Sequence, residues 1–296
     1  MNFADKIILK TREIGSPLCL GLDPHPKLIP KLFKKNSQNL SLKNIENFLF
    51  EIIDIAKNKV VAIKPQVAFF EQWGPDGMSL LVKVSKIAKE NDILVIMDAK
   101  RGDIGSTSEA YAKAWLGEKS PFGANALTVN PWMGLETLFP FIEAANESNS
   151  GIFILLKTSN TGSKDIQDLL VNNRAVFLHL ADLIQKDTST NLGKFGYSNI
   201  GVVVGATQPK DARLIRKILP KSLFLIPGFG AQGANASEAV SGLILKNKIY
   251  EGGLINSSRS ILFPKDSYDL NHSLKWKEKI VSALKKITNE LKFKAD

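Results

Sequence analysis

The chain has 296 residues, an apolar share of 44% and a formal net charge of +10. That length suffices for one large α/β domain with a sizeable core, and no stretch approaches the roughly 20 apolar residues a membrane span needs. Cys19 is the only cysteine, which excludes an intramolecular disulfide and points to a reducing cytoplasm. The first residues, Met1 to Lys6, lack the basic-then-apolar layout of a signal peptide. The lysines are dispersed through the early chain and again from Lys275 to Lys294, without interleaved stacking aromatics. No nucleic-acid partner is expected from that pattern; a general attraction for small anionic substrates is.

Taken in order, short apolar runs alternate with helix-like segments. The runs cover residues 18–22, 60–63, 93–97, 126–129, 152–156, 200–204, 223–226 and 253–255. Eight such runs in α/β alternation predict a (β/α)8 TIM barrel. A doubly wound open sheet is the runner-up, but the first run ends in Asp23-Pro24 and not in a glycine-rich turn. No linker-like stretch divides the chain, so a single barrel domain over 1–296 is expected, with terminal helices packed on it. Leu40-Ser41 precedes an amphipathic run through Ile45, Phe48, Leu49, Ile52 and Ile53. Ser106-Thr107-Ser108 offers capping hydroxyls ahead of a helix from Glu109 to Leu116. Near the end, Leu274, Ile280, Val281, Leu284, Ile287 and Leu291 share one helical face, opposite the lysines.

Polar residues collect where these runs end: Asp23, Lys64, Asp98, Lys100, Asn130, Thr158-Ser159-Asn160, Gln208, Gln232 and Arg259. In a barrel, that is the rim where the loops build a site. The densest group is Asp98-Ala99-Lys100-Arg101-Gly102-Asp103, following the branched run 93–96. Residues two apart on a strand share a face, so Asp98 and Lys100 leave the strand end together, with Asp103 on the loop beyond. Such charges are costly to desolvate unless they neutralise one another.

Two further loops read as an anion site. Pro227-Gly228-Phe229-Gly230-Ala231-Gln232-Gly233 brings Gly228, Gly230 and Gly233 close enough for backbone amides to approach a phosphate, with Gln232 as a side-chain donor. After the eighth run, Arg259 in Asn256-Ser257-Ser258-Arg259-Ser260 can fork onto the same group. Barrels commonly hold phosphate between these two loops.

With these residues in view, the chain resembles the orotidine 5′-monophosphate decarboxylase family, specifically its longer bacterial branch. The likeness rests on Gly21-Leu22-Asp23-Pro24, on Lys64-Pro65-Gln66-Val67-Ala68-Phe69-Phe70-Glu71, on Asp98 to Thr107, and on Pro227 to Gly233. Asn125, Trp132 and Thr161 depart from the family pattern, outside the charged group. The resemblance implies decarboxylation of orotidine 5′-monophosphate to UMP in pyrimidine biosynthesis, with no metal and no organic cofactor. It implies a homodimer with Lys64, Asp98 and Lys100 in one site and Asp103 supplied by the partner subunit. It also implies Asp23 and Lys64 near the ribose, Thr107 reaching across the interface, Ser159 near the pyrimidine, and Gln232 with Arg259 on the phosphate. A metal-assisted sugar-phosphate decarboxylase or epimerase on the same barrel, a Schiff-base aldolase using Lys64 or Lys100, and a basic nucleotide- or RNA-binding protein are the rival readings.

Overall fold

A computed structural model of the chain describes residues 1–34, 40–117, 119–230 and 233–293. Eight parallel strands close into a barrel. They are β1 (Leu18–Leu22), β2 (Ala62–Pro65), β3 (Leu94–Arg101), β4 (Ala126–Val129), β5 (Gly151–Lys157), β6 (Ser198–Val204), β7 (Ser222–Ile226) and β8 (Gly253–Ser257). Each apolar run of the sequence becomes one of these strands. The second is displaced by two residues, so that Lys64 and Pro65 lie within β2 rather than beyond it.

The strands are buried almost throughout, as expected when a sheet is covered on both faces. Their alternation sorts the side chains into two cores. Residues pointing outward, such as Leu20, Ile63, Val95 and Ile255, pack against the surrounding helices. Residues pointing inward fill the lower lumen: Cys19, Ala62, Leu94, Ile96, Ala126, Phe153, Leu223 and Leu254. The N-terminal helix α1 (Phe3–Ile14) adds Phe3, Ile7 and Ile8 to this inner core. Phe3 meets Phe153 edge to face, with ring centroids 6.0 Å apart. Helix α1 therefore corks the bottom of the barrel.

The covering helices obey their local sequence with two exceptions. Helix α2 (Leu42–Ala56) begins at Ser41, whose side chain accepts from the Asn44 amide in a reciprocal capping box. Helices α3 (Gly74–Glu90), α4 (Gly105–Trp115), α5 (Phe139–Glu147), α6 (Val176–Ile184), α7 (Pro209–Ile218) and α8 (Ser273–Glu290) follow. Helix α4 starts before the serines expected to cap it, with Ile104 at the cap position. The Ser108 hydroxyl instead donates to the Asp103 carbonyl, fastening the preceding loop. On α8 the buried face runs through Trp276, Ile280, Leu284 and Ile287, whereas Leu274, two residues before Trp276, falls on the other side of the helix and is exposed. No helix among the described residues is long and apolar enough to cross a membrane.

Candidate active site

The lumen alternation that is apolar at the bottom turns polar at the top. On β2 the row Ala62, Lys64 rises from core to mouth, and on β3 the row Leu94, Ile96, Asp98 does the same. The result is a cavity of about 290 Å³ at the C-terminal end of the barrel. Asp23, Lys64, Asp98, Lys100, Ser159, Gly228 and Arg259 all line it.

Asp98 is the centre, only 8% exposed. Lys64 Nζ pairs with its Oδ2 and Lys100 Nζ with its Oδ1. Gln66 Nε2 adds a donor to Oδ2 at 3.1 Å, and the Thr128 hydroxyl donates to Oδ1 at 3.2 Å. Burial by itself would raise the Asp98 carboxyl. The charges of Lys64 and Lys100, with their hydrogen bonds, outweigh it and hold the group well below the usual carboxylate range. Lys64 shows the converse: burial would lower it, but Asp98 and Asp23 push it above the ordinary lysine value. Both groups are therefore charged at neutral pH. Below them the Cys19 thiol is buried and pushed up to about 12, which leaves it an inert core side chain, as its flanking leucines imply.

Lys100 has φ of +51°, a left-handed conformation that side-chain-bearing residues rarely adopt. The β3–β4 register breaks between Met97 and Arg101, so the usual ladder partner is missing there. The Thr128 hydroxyl fills the gap, accepting the Lys100 amide at 2.9 Å. Arg101 then turns away from the cavity, pairing with Glu71 and lying over the Tyr111 and Trp115 rings.

At the opposite wall Gly228 has φ of +101°, and Gly230 and Gly233 are also left-handed at +77° and +94°. All three conformations favour glycine. Gly228 reaches the cavity, whereas Gly230 and Gly233 stand outside its lining. Gln232 lies outside the described residues. Arg259 opens the short helix Arg259–Leu262 beside Gly228 and Phe229.

Asp103 and Thr107 do not line the cavity of their own chain. The Asp103 carboxylate accepts the Ile104 amide at 2.8 Å, and Thr107 is exposed on α4. Asn130 and Gln208, two of the polar strand ends, also stay outside it. Sequence reasoning gave no role to Gln66 or Thr128, though the signal existed. Thr128 follows Ala126 by two on β4, the same rule that aims Asp98 inward after Ile96.

The fold and cavity define a (β/α)8 barrel protein with a buried, charge-paired site at its mouth. The family model for the orotidine 5′-phosphate decarboxylase / HUMPS family matches residues 16–268, and the chain belongs to that family. A protein of Rhodopirellula baltica named orotidine 5′-phosphate decarboxylase is 40% identical over 271 residues, covering 89% of this chain and 89% of that protein. One of the same name from Caldicellulosiruptor bescii is 38% identical over 282 residues, with 90% and 92% covered. Among solved structures, the Leishmania donovani OMP decarboxylase superposes with a TM-score of 0.76 at 28% identity, over 98% of each chain. The longer bacterial resemblance drawn from four motifs thus extends over nine-tenths of the chain.

Proposed function

We propose that this chain decarboxylates orotidine 5′-monophosphate to UMP, its family's step in pyrimidine biosynthesis, using side chains alone. The carrying observation is the Asp98 carboxylate, buried at the cavity wall with one ammonium on each oxygen. Gln66 and Thr128 supply a second donor to each oxygen, so the carboxylate's acceptor positions are all engaged within the chain.

The chemistry follows from that placement. Losing CO2 from the pyrimidine C6 breaks a carbon–carbon bond and leaves its electron pair on C6, with no adjacent carbonyl to absorb it. Asp98 crowds the departing carboxylate, and Lys100 carries the positive charge that faces the developing carbanion. Lys100 then transfers its proton to C6, giving UMP. Lys64, Gln66 and Thr128 hold Asp98, and through it Lys100, in place before the substrate arrives. The raised Lys64 is protonated at neutral pH, which argues against a Schiff-base role, since that requires the free amine.

Recognition divides along the cavity. Arg259 and the Gly228 backbone face the phosphate, with Gln232 as the further donor, and Ser159 faces the pyrimidine. Asp23 Oδ1, Asn256 Oδ1 and Ser258 Oγ are buried without hydrogen-bond partners among the described residues, a wall that suits the hydroxyls of a ribose. Binding energy at the remote phosphate helps drive the reaction at C6. Both nucleotides are too charged to cross a bilayer, which fits a reaction kept in the cytoplasm.

The site is completed in a homodimer. Asp103 stands outside the lining of its own cavity, and exposed apolar side chains lie on the same rim: Ile104 at 60%, Trp132 at 70% and Met133. The two loops touch, because a side chain at Gly102 would lie 2.8 Å from the Asn130 carbonyl. An exposed apolar patch around a polar group is the usual form of a docking surface, and a two-fold axis would pass Asp103 and Thr107 reciprocally into each neighbour's site.

Loss of orotidine monophosphate absorbance in the presence of EDTA tests the whole reading. Full turnover there is expected; turnover only on adding a divalent ion would replace it with the metal-assisted alternative.

A further inference from the structure

Lys157, at the end of β5, is wholly buried, yet the chemistry above makes no use of it. Two-residue alternation after Phe153 and Leu155 would aim it into the lumen. The β5–β6 register breaks between Leu155 and Lys157, and the side chain turns outward instead, its ammonium 5.0 Å from the Phe177 ring on α6. There it pairs with Asp168, and Asp211 of α7 stands 3.9 Å away. A buried ammonium is costly without a partner, and Asp168 is the nearer of the two carboxylates that offset the cost.

Asp168 belongs to the excursion between β5 and α6, a short turn (Thr161–Asp165) followed by a two-stranded hairpin (Leu170–Val171 with Arg174–Ala175). Its neighbour Gln167 closes twice on one cavity residue. Gln167 Oε1 accepts the Thr158 amide at 2.9 Å, and Gln167 Nε2 donates to the Thr158 hydroxyl at 2.9 Å. That hydroxyl in turn donates to Asn160 Oδ1 at 2.7 Å. The backbone of Gln167 is itself tied to Ser163 and Phe177. Beneath, Gly205 donates to the Lys157 carbonyl at 2.7 Å, and a side chain on it would lie 2.7 Å from Ser159 Cα. Thr158, Ser159 and Asn160 all line the cavity.

We infer that Gln167, with the Lys157–Asp168 pair as its anchor, forms a clasp that positions the Thr158–Ser159–Asn160 wall for recognition of the nucleobase. Gln167, Lys157 and Asp168 are positioning residues, since none of them lines the cavity. The inference rests on the reading of Ser159 as the base-facing residue. The clasp acts on the part of the ligand nearest that wall and leaves the phosphate end alone.

Inhibition by UMP and by ribose 5-phosphate, which keeps the sugar and phosphate but has no base, separates the roles. Gln167→Ala should weaken UMP roughly tenfold, the scale of a lost pair of hydrogen bonds, and leave ribose 5-phosphate unchanged. Asp168→Asn, which keeps the side chain's shape, should move UMP in the same direction, also without affecting ribose 5-phosphate. Ser159→Ala serves as the control for the base-facing assignment. If Ser159→Ala weakens UMP but neither other variant does, the clasp is wrong. Equal weakening of both ligands, or loss of folding alone, would reduce these residues to structural parts and overturn it. If none of the three variants affects UMP, the base-facing assignment falls, and the clasp falls with it.

Discussion

The hydroxyl of Thr128 stands between the backbone and the charge of the central pair: it accepts the Lys100 amide at 2.9 Å and donates to Asp98 Oδ1 at 3.2 Å. One side chain thus stabilises a left-handed lysine and orients the carboxylate that lysine pairs with. Thr128→Val keeps the shape and removes both bonds, leaving a part-buried amide without its partner at a cost of about 1 kcal/mol or more. If that cost falls on the catalytic geometry, kcat drops roughly ten- to a hundredfold. Thr128→Ser restores it, and UMP inhibition barely moves in either variant. A kcat unchanged in Thr128→Val would show that Lys100 holds its pose unaided.

Lys100→Ala should abolish decarboxylation while UMP still binds, because the ammonium acts on charge that exists only during the reaction. Turnover per folded molecule, measured beside the melting temperature, separates this from a structural part. Were Lys100 merely an ion-pair member, the variant would melt earlier and keep appreciable activity.

Arg259→Ala should weaken orotidine monophosphate by about 2–5 kcal/mol, the scale for losing one partner of a buried charge pair. Orotidine, without the phosphate, should be a poor substrate for the wild type and nearly indifferent to the change. Equal losses on both substrates would remove Arg259 from the phosphate.

The buried pair also sets a pH dependence. Asp98 is depressed in the folded chain, so its stabilisation is complete above the unfolded value near pH 4 and is lost as pH falls towards the folded one. Lys64 is raised, so its share is complete below about pH 10 and is lost as pH rises through its folded value. Asp98→Asn strands the buried Lys64 ammonium and should cost about 3–5 kcal/mol at pH 7. That deficit should narrow as pH falls below about 4, where the wild type begins to lose the same contribution. Denaturant titrations at pH 7 and pH 3 measure both numbers; a deficit independent of pH would deny the pair its charge.

How much of this was legible beforehand varies with the cause. The barrel and the ring of polar strand ends follow from residue type and two-residue alternation, which is why Asp23, Lys64, Asp98 and Arg259 were readable before any fold was known. Breaks in that alternation were not. Nothing local marks Lys100 as left-handed; its conformation depends on a hydroxyl 28 residues away. The outward turn of Lys157 likewise depends on a bulge and on Asp168 waiting outside. The early start of α4 is of the same kind, since Ser108 is drawn off to fasten the Asp103 loop.

Mixing chains tests the shared site. Asp98→Ala and Asp103→Ala homodimers each carry one defect in every site. In a mixed dimer one site holds both defects and the other has none. Random pairing after joint refolding gives about half mixed dimers, each with one sound site in two, so activity should return to about a quarter of wild type. Verified mixed dimers as inactive as their parents would place Asp103 in the service of its own barrel.

The cork formed by Phe3, Ile7 and Ile8 has a bearing on traffic. With the floor of the barrel sealed by packed side chains, the described residues leave the lumen open at its mouth. On the proposed mechanism, carbon dioxide liberated against Asp98 would depart by the route the nucleotide used to enter. The gas, small and uncharged, would leave before UMP, which on the proposed assignment is held at its phosphate. A sealed floor would thereby give the two products an order of departure.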